Sequence, residues 1–144
     1  MKTITITVQN AIDNGVGMLQ ELRDELQEVV DNAPENLRES ERIQTLSNTV
    51  DVLDSFVDDG YDLESDELAS ETFEFKEMSM KGASRAYRRN QAVRYLEDAA
   101  MALSIWLDAQ DAESNDVDLA DDMVQRIEDA VANAYECEFP GMMG

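Results

Sequence analysis

The chain has 144 residues, 33 acidic and 11 basic, which leaves a formal net charge of −22 with no histidine to alter it near neutrality. That length supports one domain with a core that needs no metal or disulfide staple, and 43% hydrophobic content excludes wholesale disorder. The charge repels free nucleic acid and anionic lipid and attracts basic surfaces, while the single cysteine, Cys137, excludes an internal disulfide and fits a reducing, cytoplasmic compartment.

Residues 1–9 open the chain. Ile4, Ile6 and Val8 alternate with Thr3, Thr5 and Thr7, the period-two pattern of a half-buried strand over about 3–8. A frayed arm is the competing reading. The stretch is too short and too rich in threonine for a signal peptide, and no apolar run reaches the roughly 20 residues of a membrane span. Asn10 is the expected N-cap of a first helix running to about Asp31, with Ile12, Val16, Leu19, Leu22, Leu26 and Val29 on one face. Gly15 and Gly17 weaken its first turns; they mark either a close helix approach or a start nearer Met18.

Asn32-Ala33-Pro34 ends that helix, because proline neither continues it nor leaves its predecessor in the α region. Ser40 caps a second helix to about Asp58, with Ile43, Leu46, Val50, Leu53 and Val57 at 3-4 spacing and Gly60 as its stop. So short a connection predicts an antiparallel hairpin over 10–58.

The turn residues Asp31, Asn32, Pro34, Glu35 and Leu37, set between two charged amphipathic helices, form an Asp-Asn-x-Pro-Glu-x-Leu pattern. The hairpin resembles small acidic phage and prophage proteins of unassigned function over about a third of the chain. The resemblance implies a viral or mobile-element origin and implies no activity.

Residues 59–71 read as an acidic linker with a helical turn around Leu63 and Leu68. Phe73 and Phe75 then alternate with Glu74 and Lys76 in a second strand, about 72–80. Two strands are marginal alone, so they are expected to pair with each other against the helices, or across a homodimer. After Gly82, Ser84 caps the longest helical run, about 84–110. Its apolar residues form two stripes, one through Val93, Leu96, Ala100 and Leu103, the other through Ala92, Tyr95, Ala99 and Trp106. So wide an apolar arc is covered on more than one side, which makes this the central helix. Residues 111–116 are loop-like. A last helix, about 117–136, places Leu119, Met123, Ile127, Ala130, Val131 and Ala134 inward, completing a second hairpin over 84–136, and an apolar tail occupies 137–144. The expected fold is a single, mostly α, four-helix bundle-like domain with at most two short β-strands.

Without histidine, Ser-His-Asp and Cys-His catalysis are excluded within one chain, and one cysteine makes no zinc site. No phosphate-binding glycine loop is present. An EF-hand centred on Gly60 would put Val57 at a ligand position. Three features remain. Six of the 11 cations, Lys76, Lys81, Arg85, Arg88, Arg89 and Arg94, cluster at the start of the central helix, where its dipole disfavours them. Either residues 58–71 fold back to pair with them, or Arg85, Arg88 and Arg89 receive an anion or acidic partner. From residue 95 onward Arg126 is the sole cation, against Asp108, Asp111, Glu113, Asp116, Asp118, Asp121, Asp122, Glu128 and Asp129. This acidic face either keeps the chain soluble or imitates nucleic acid. A duplex as long as the central helix, about 40 Å, carries roughly 24 charges, close to the chain's own total. In the tail, Phe139, Met142 and Met143 either dock on the core or anchor in a partner's groove.

These features imply a non-enzymatic binding protein, without cofactor or metal, that inhibits or diverts a host protein, a defence protein among the candidates. It would do so by covering that protein's basic, nucleic-acid-binding surface, as a DNA mimic does. It would touch neither nucleic acid nor membrane itself. A virion assembly protein held by strand and tail contacts is the alternative, and a carboxylate enzyme using a divalent ion a distant third.

Overall fold

The fold is taken from a computed structural model that describes residues 2–58, 61–110 and 114–139, with backbone only for 56–58. Strand β1 (Lys2–Thr7) leads directly into helix α1 (Val8–Asp31), followed by α2 (Glu41–Asp58), a one-turn α3 (Asp66–Ala69), β2 (Thr72–Glu77), α4 (Arg85–Asp108) and α5 (Asn115–Glu136). The domain is mostly helical, and the one small sheet among the described residues is antiparallel.

The strand-to-helix junction corrects the expected cap. Thr7, in extended backbone at φ −80° and ψ 155°, accepts a hydrogen bond from the Asn10 N–H through its side chain, so Asn10 lies inside the first turn. Val8, expected to end the strand, instead begins the helix. Its N–H, an orphan donor at a helix start, bonds the Glu71 carbonyl at 2.7 Å. That bond holds the approach to β2 beside β1.

In the β1–β2 register, Ile4 faces Phe75 and Ile6 faces Phe73. Ile6 and Phe75 are buried. Phe75 stacks on Tyr95 of α4, ring centroids 4.2 Å apart, which fastens a sheet too small to stand alone. β2 stops at Glu77, short of the expected Met80.

The helices pack as a hairpin pair on a hairpin pair. α1 and α4 form the most extensive contact, α2 packs beside α1, α5 packs beside α4, and α2 meets α5 over a small area. The central position is therefore shared by α1 and α4. Gly15 makes this possible: a Cβ there would lie 2.8 Å from the Ala92 carbonyl oxygen and 2.9 Å from Leu96 Cγ. The glycine marks a close approach, and α1 has already begun at Val8. Leu19, Leu22, Leu26, Leu46, Leu53, Leu96, Leu103 and Ile127 are fully buried between the layers, each worth about 1.5–3 kcal/mol of transfer free energy.

The α1–α2 turn is a 3-10 turn at Glu35–Leu37, and the Ser40 hydroxyl accepts from the Ile43 N–H, as a cap should. An Arg23–Asp54 ion pair at 2.5 Å ties the hairpin far from its turn. Ser84 and Ser114 cap α4 and α5 in the same way as Ser40, so α5 starts two residues before the expected Val117. The expected stop at Gly60 and the inward position of the Val57 side chain lie outside the described residues.

Candidate functional site

The arginines at the start of α4 are committed to the protein itself, though not to residues 58–71. Glu25 of α1 receives both Arg85, Nε to Oε1 at 2.9 Å, and Arg88, Nη1 to Oε2 at 2.8 Å and Nη2 to Oε1 at 3.0 Å. Two guanidiniums on one carboxylate hold Glu25 well below the usual range, at about 2, with the Arg88 hydrogen bonds the largest cause and burial opposing them. This carboxylate offsets the cost of cations at a helix N-terminus.

Arg89 solves the same problem differently. α5 runs back along α4, so the start of α4 lies beside the end of α5. Arg89 Nη1 donates to the Ala134 carbonyl at 2.9 Å and the Cys137 carbonyl at 3.3 Å. A cation unfavourable to its own helix dipole is thus favourable to its neighbour's. Its guanidinium also lies over the Tyr135 and Phe139 rings, at 5.4 and 5.6 Å. Arg94 donates to the Lys76 carbonyl at 2.8 Å and covers Phe75 at 5.1 Å. These four arginines fasten α1, α5 and β2 to α4.

The acidic stretch before β2 is fastened to α1. Gln9 accepts from the Leu63 N–H at 2.7 Å and donates to the Tyr61 carbonyl at 3.2 Å, and Leu68 is fully buried. The helical turn expected near Leu68 is α3, capped by Ser65.

The acidic face is built by α5. Asp118, Asp121, Asp122, Glu128 and Asp129 are exposed, Asp116 is half-buried, and Asp108 is exposed at the end of α4. Asp121–Asp122 and Glu128–Asp129 are seven residues apart, so they point the same way about two turns along. Arg126 pairs with Asp122 at 3.2 Å. Asp116 and Asp118 occupy the first turn, where the dipole favours them. The helix is about 33 Å long with seven carboxylates, roughly one per 5 Å, nearer the 3.4 Å phosphate spacing of one nucleic-acid strand than the 1.7 Å of a duplex. Asp111 and Glu113 lie outside the described residues.

The start of the tail docks on its own core. The Thr49 hydroxyl, buried in α2, donates to the Glu138 carbonyl at 2.7 Å and accepts from the Glu138 N–H at 3.3 Å. Phe139 packs against the core, while Met142 and Met143 lie outside the described residues. Burial pushes the Cys137 thiol up to about 11 against the opposing pull of Arg89, so it is a poor nucleophile. Burial, then the bond to Glu77, pushes the Tyr95 phenol up to about 12.

Among the described residues, no three Asp, Glu or Cys side chains gather as metal ligands, and no helix is long and apolar enough to cross a membrane. Two open grooves are largely apolar. One, of about 680 Å³, lies at the α1–α2 turn and is lined by Val29, Pro34, Leu37 and Ile43. The other, of about 470 Å³, runs between α4 and α5 with Ile127 at its base and Met101 on its wall. Sequence reasoning missed Glu25, which no local pattern separates from Glu21 or Glu28. It also passed over Met101 and Ile105, which fall outside both apolar stripes of the central helix; apolar residues left on a polar face were the available signal.

The chain matches no protein-family model, no curated protein and no solved structure.

Proposed function

We propose that this protein is a non-enzymatic binder that covers a basic, nucleic-acid-handling surface of another protein, the mode of a DNA mimic. The supporting observation is α5: seven carboxylates against one arginine, all but the half-buried Asp116 exposed along a single helix, with no metal-ligand cluster among the described residues. Its fixed charges need no reorganisation to meet a cationic surface, and the net charge of −22 steers such a surface from a distance. The commitment of Arg85, Arg88 and Arg89 to internal contacts supports assigning recognition to the acidic face rather than to an anion patch.

The phage-like hairpin turn supports a viral origin and a target in the cytoplasm of an infected cell, host defence proteins included. Virion assembly through strand and tail has less support, because β1 and β2 pair with each other and Glu138 is bonded to Thr49. The test is affinity capture from a host lysate, with elution by duplex DNA. Release of a basic, nucleic-acid-binding protein by DNA is expected. Partners that ignore DNA and stay bound at high salt would refute the reading.

A further inference from the structure

We infer that the groove between α4 and α5 receives a basic amphipathic helix of the partner protein. The inference rests on the reading of the acidic face above and adds where and how the partner is anchored. Met101 and Ile105 are one turn apart on α4 and are 62% and 64% exposed, although the rest of the apolar surface of this helix is largely covered. Beside Met101, Val124 and Val131 of α5 form the facing wall over Ile127. From Glu97 to Ile105 the face spans about 12 Å, two helical turns, which suits two apolar anchors at i and i+4 of a single docked helix.

Charge selects the occupant. Glu97 and Glu128 are the charged residues on the groove lining, and no cation lies there. Asp121, one turn before Val124 and two before Glu128, lies on the same side of α5. Arg89 and Arg94, the cations of the adjoining part of α4, are held by the Ala134 and Lys76 carbonyls. A second copy of this chain would bring acidic rims against acidic rims at a net charge of −22 each. Nucleic acid would meet the same repulsion and has no aliphatic anchors. The fitting occupant has two apolar side chains one turn apart, flanked by lysine or arginine that reaches Glu97 and Glu128.

The probes are synthetic peptides of about five helical turns. One carries a leucine face and a lysine-arginine face; the other is its scrambled isomer, identical in composition and charge. Binding is followed by fluorescence anisotropy of labelled peptide at low and high salt. The amphipathic peptide is expected to bind about tenfold or more tightly than its isomer. The Met101→Ser/Ile105→Ser double variant should lose that preference while keeping the weaker binding of the isomer. Glu97→Gln/Glu128→Gln should weaken both peptides and flatten the salt dependence. All these positions are solvent-facing, so the variants are expected to fold, which circular dichroism checks. Equal binding of the two peptides, or a preference that survives the double variant, overturns the groove while leaving the acidic face standing. If neither peptide binds at low salt, both readings fall.

Discussion

Gly15 and Gly17 sit two residues apart in the same helix and should respond in opposite directions to the same substitution. A Cβ on residue 15 would stand 2.8 Å from the Ala92 carbonyl oxygen, about 0.6 Å inside ordinary contact at 3.4 Å, whereas one on residue 17 meets nothing within 4 Å. Alanine raises helix propensity at either site by about 1 kcal/mol. At Gly15 the obstacle is backbone of α4, which cannot rotate away, so α1 and α4 must separate along their main interface. Overpacking costs about 1–3 kcal/mol, and a clash with unyielding backbone falls in the upper part of that range, about 2–3 kcal/mol. Gly15→Ala should therefore lose about 1–2 kcal/mol net, and Gly17→Ala should gain about 0.5–1 kcal/mol. For a chain of this size each kcal/mol moves Tm by about 2–4 °C. Thermal unfolding followed by circular dichroism at fixed pH and salt reads both variants. A Gly15→Ala protein as stable as the parent would refute the crossing of α1 and α4 at this residue, and with it the placement of the arginine cluster against Glu25.

Glu25→Gln should destabilise the fold at neutral pH. Its folded pKa, about 2, lies below the unfolded 4.5, so its stabilisation is present above pH 4.5 and is lost as pH falls toward 2. The difference sets a ceiling of about 3 kcal/mol, which solvent screening of a side chain 36% exposed reduces to about 1–2 kcal/mol. Denaturant melts of parent and variant should converge between pH 4.5 and 2; a gap unchanged over that range would show that the arginines do not hold the carboxylate. Thr49→Val removes both bonds to Glu138 and should speed labelling of Cys137 by a thiol reagent several-fold; unchanged labelling would mean that the tail is held by other contacts. Phe75→Ala should cost about 3–5 kcal/mol and loosen the sheet, seen as faster amide exchange in β1. Retained protection there would mean that Tyr95 does not anchor the sheet.

The helices were readable because their signals are local. Ser40 and Ser84 cap where serine before an amphipathic run should, and the 3-4 spacing of Ile43, Leu46, Val50 and Leu53 names the buried face of α2. The strand pattern was readable for the same reason, down to the shared face of Ile6 and Phe75. What failed was long-range. Thr7 displaced Asn10 as cap because the Val8 N–H found a carbonyl 63 residues away, at Glu71. The arginines chose Glu25 over the denser carboxylates of 58–71 because Gly15 brings α1 against α4, and because Gln9 and Leu68 hold the acidic segment on α1. Arg89 looked misplaced only while α4 was considered alone. The acidic face was legible as composition, but its charge spacing and the groove beside it required α4 and α5 to be set side by side.

The most direct test of the electrostatic account is the slope of log Kd against log salt for the captured partner, measured with the parent and with Asp121→Asn/Asp122→Asn/Glu128→Gln/Asp129→Asn. The account predicts a steep slope for the parent, affinity falling with salt, and a much shallower slope with weaker binding for the neutralised helix. A partner held equally by both proteins, at every salt concentration, would contradict it.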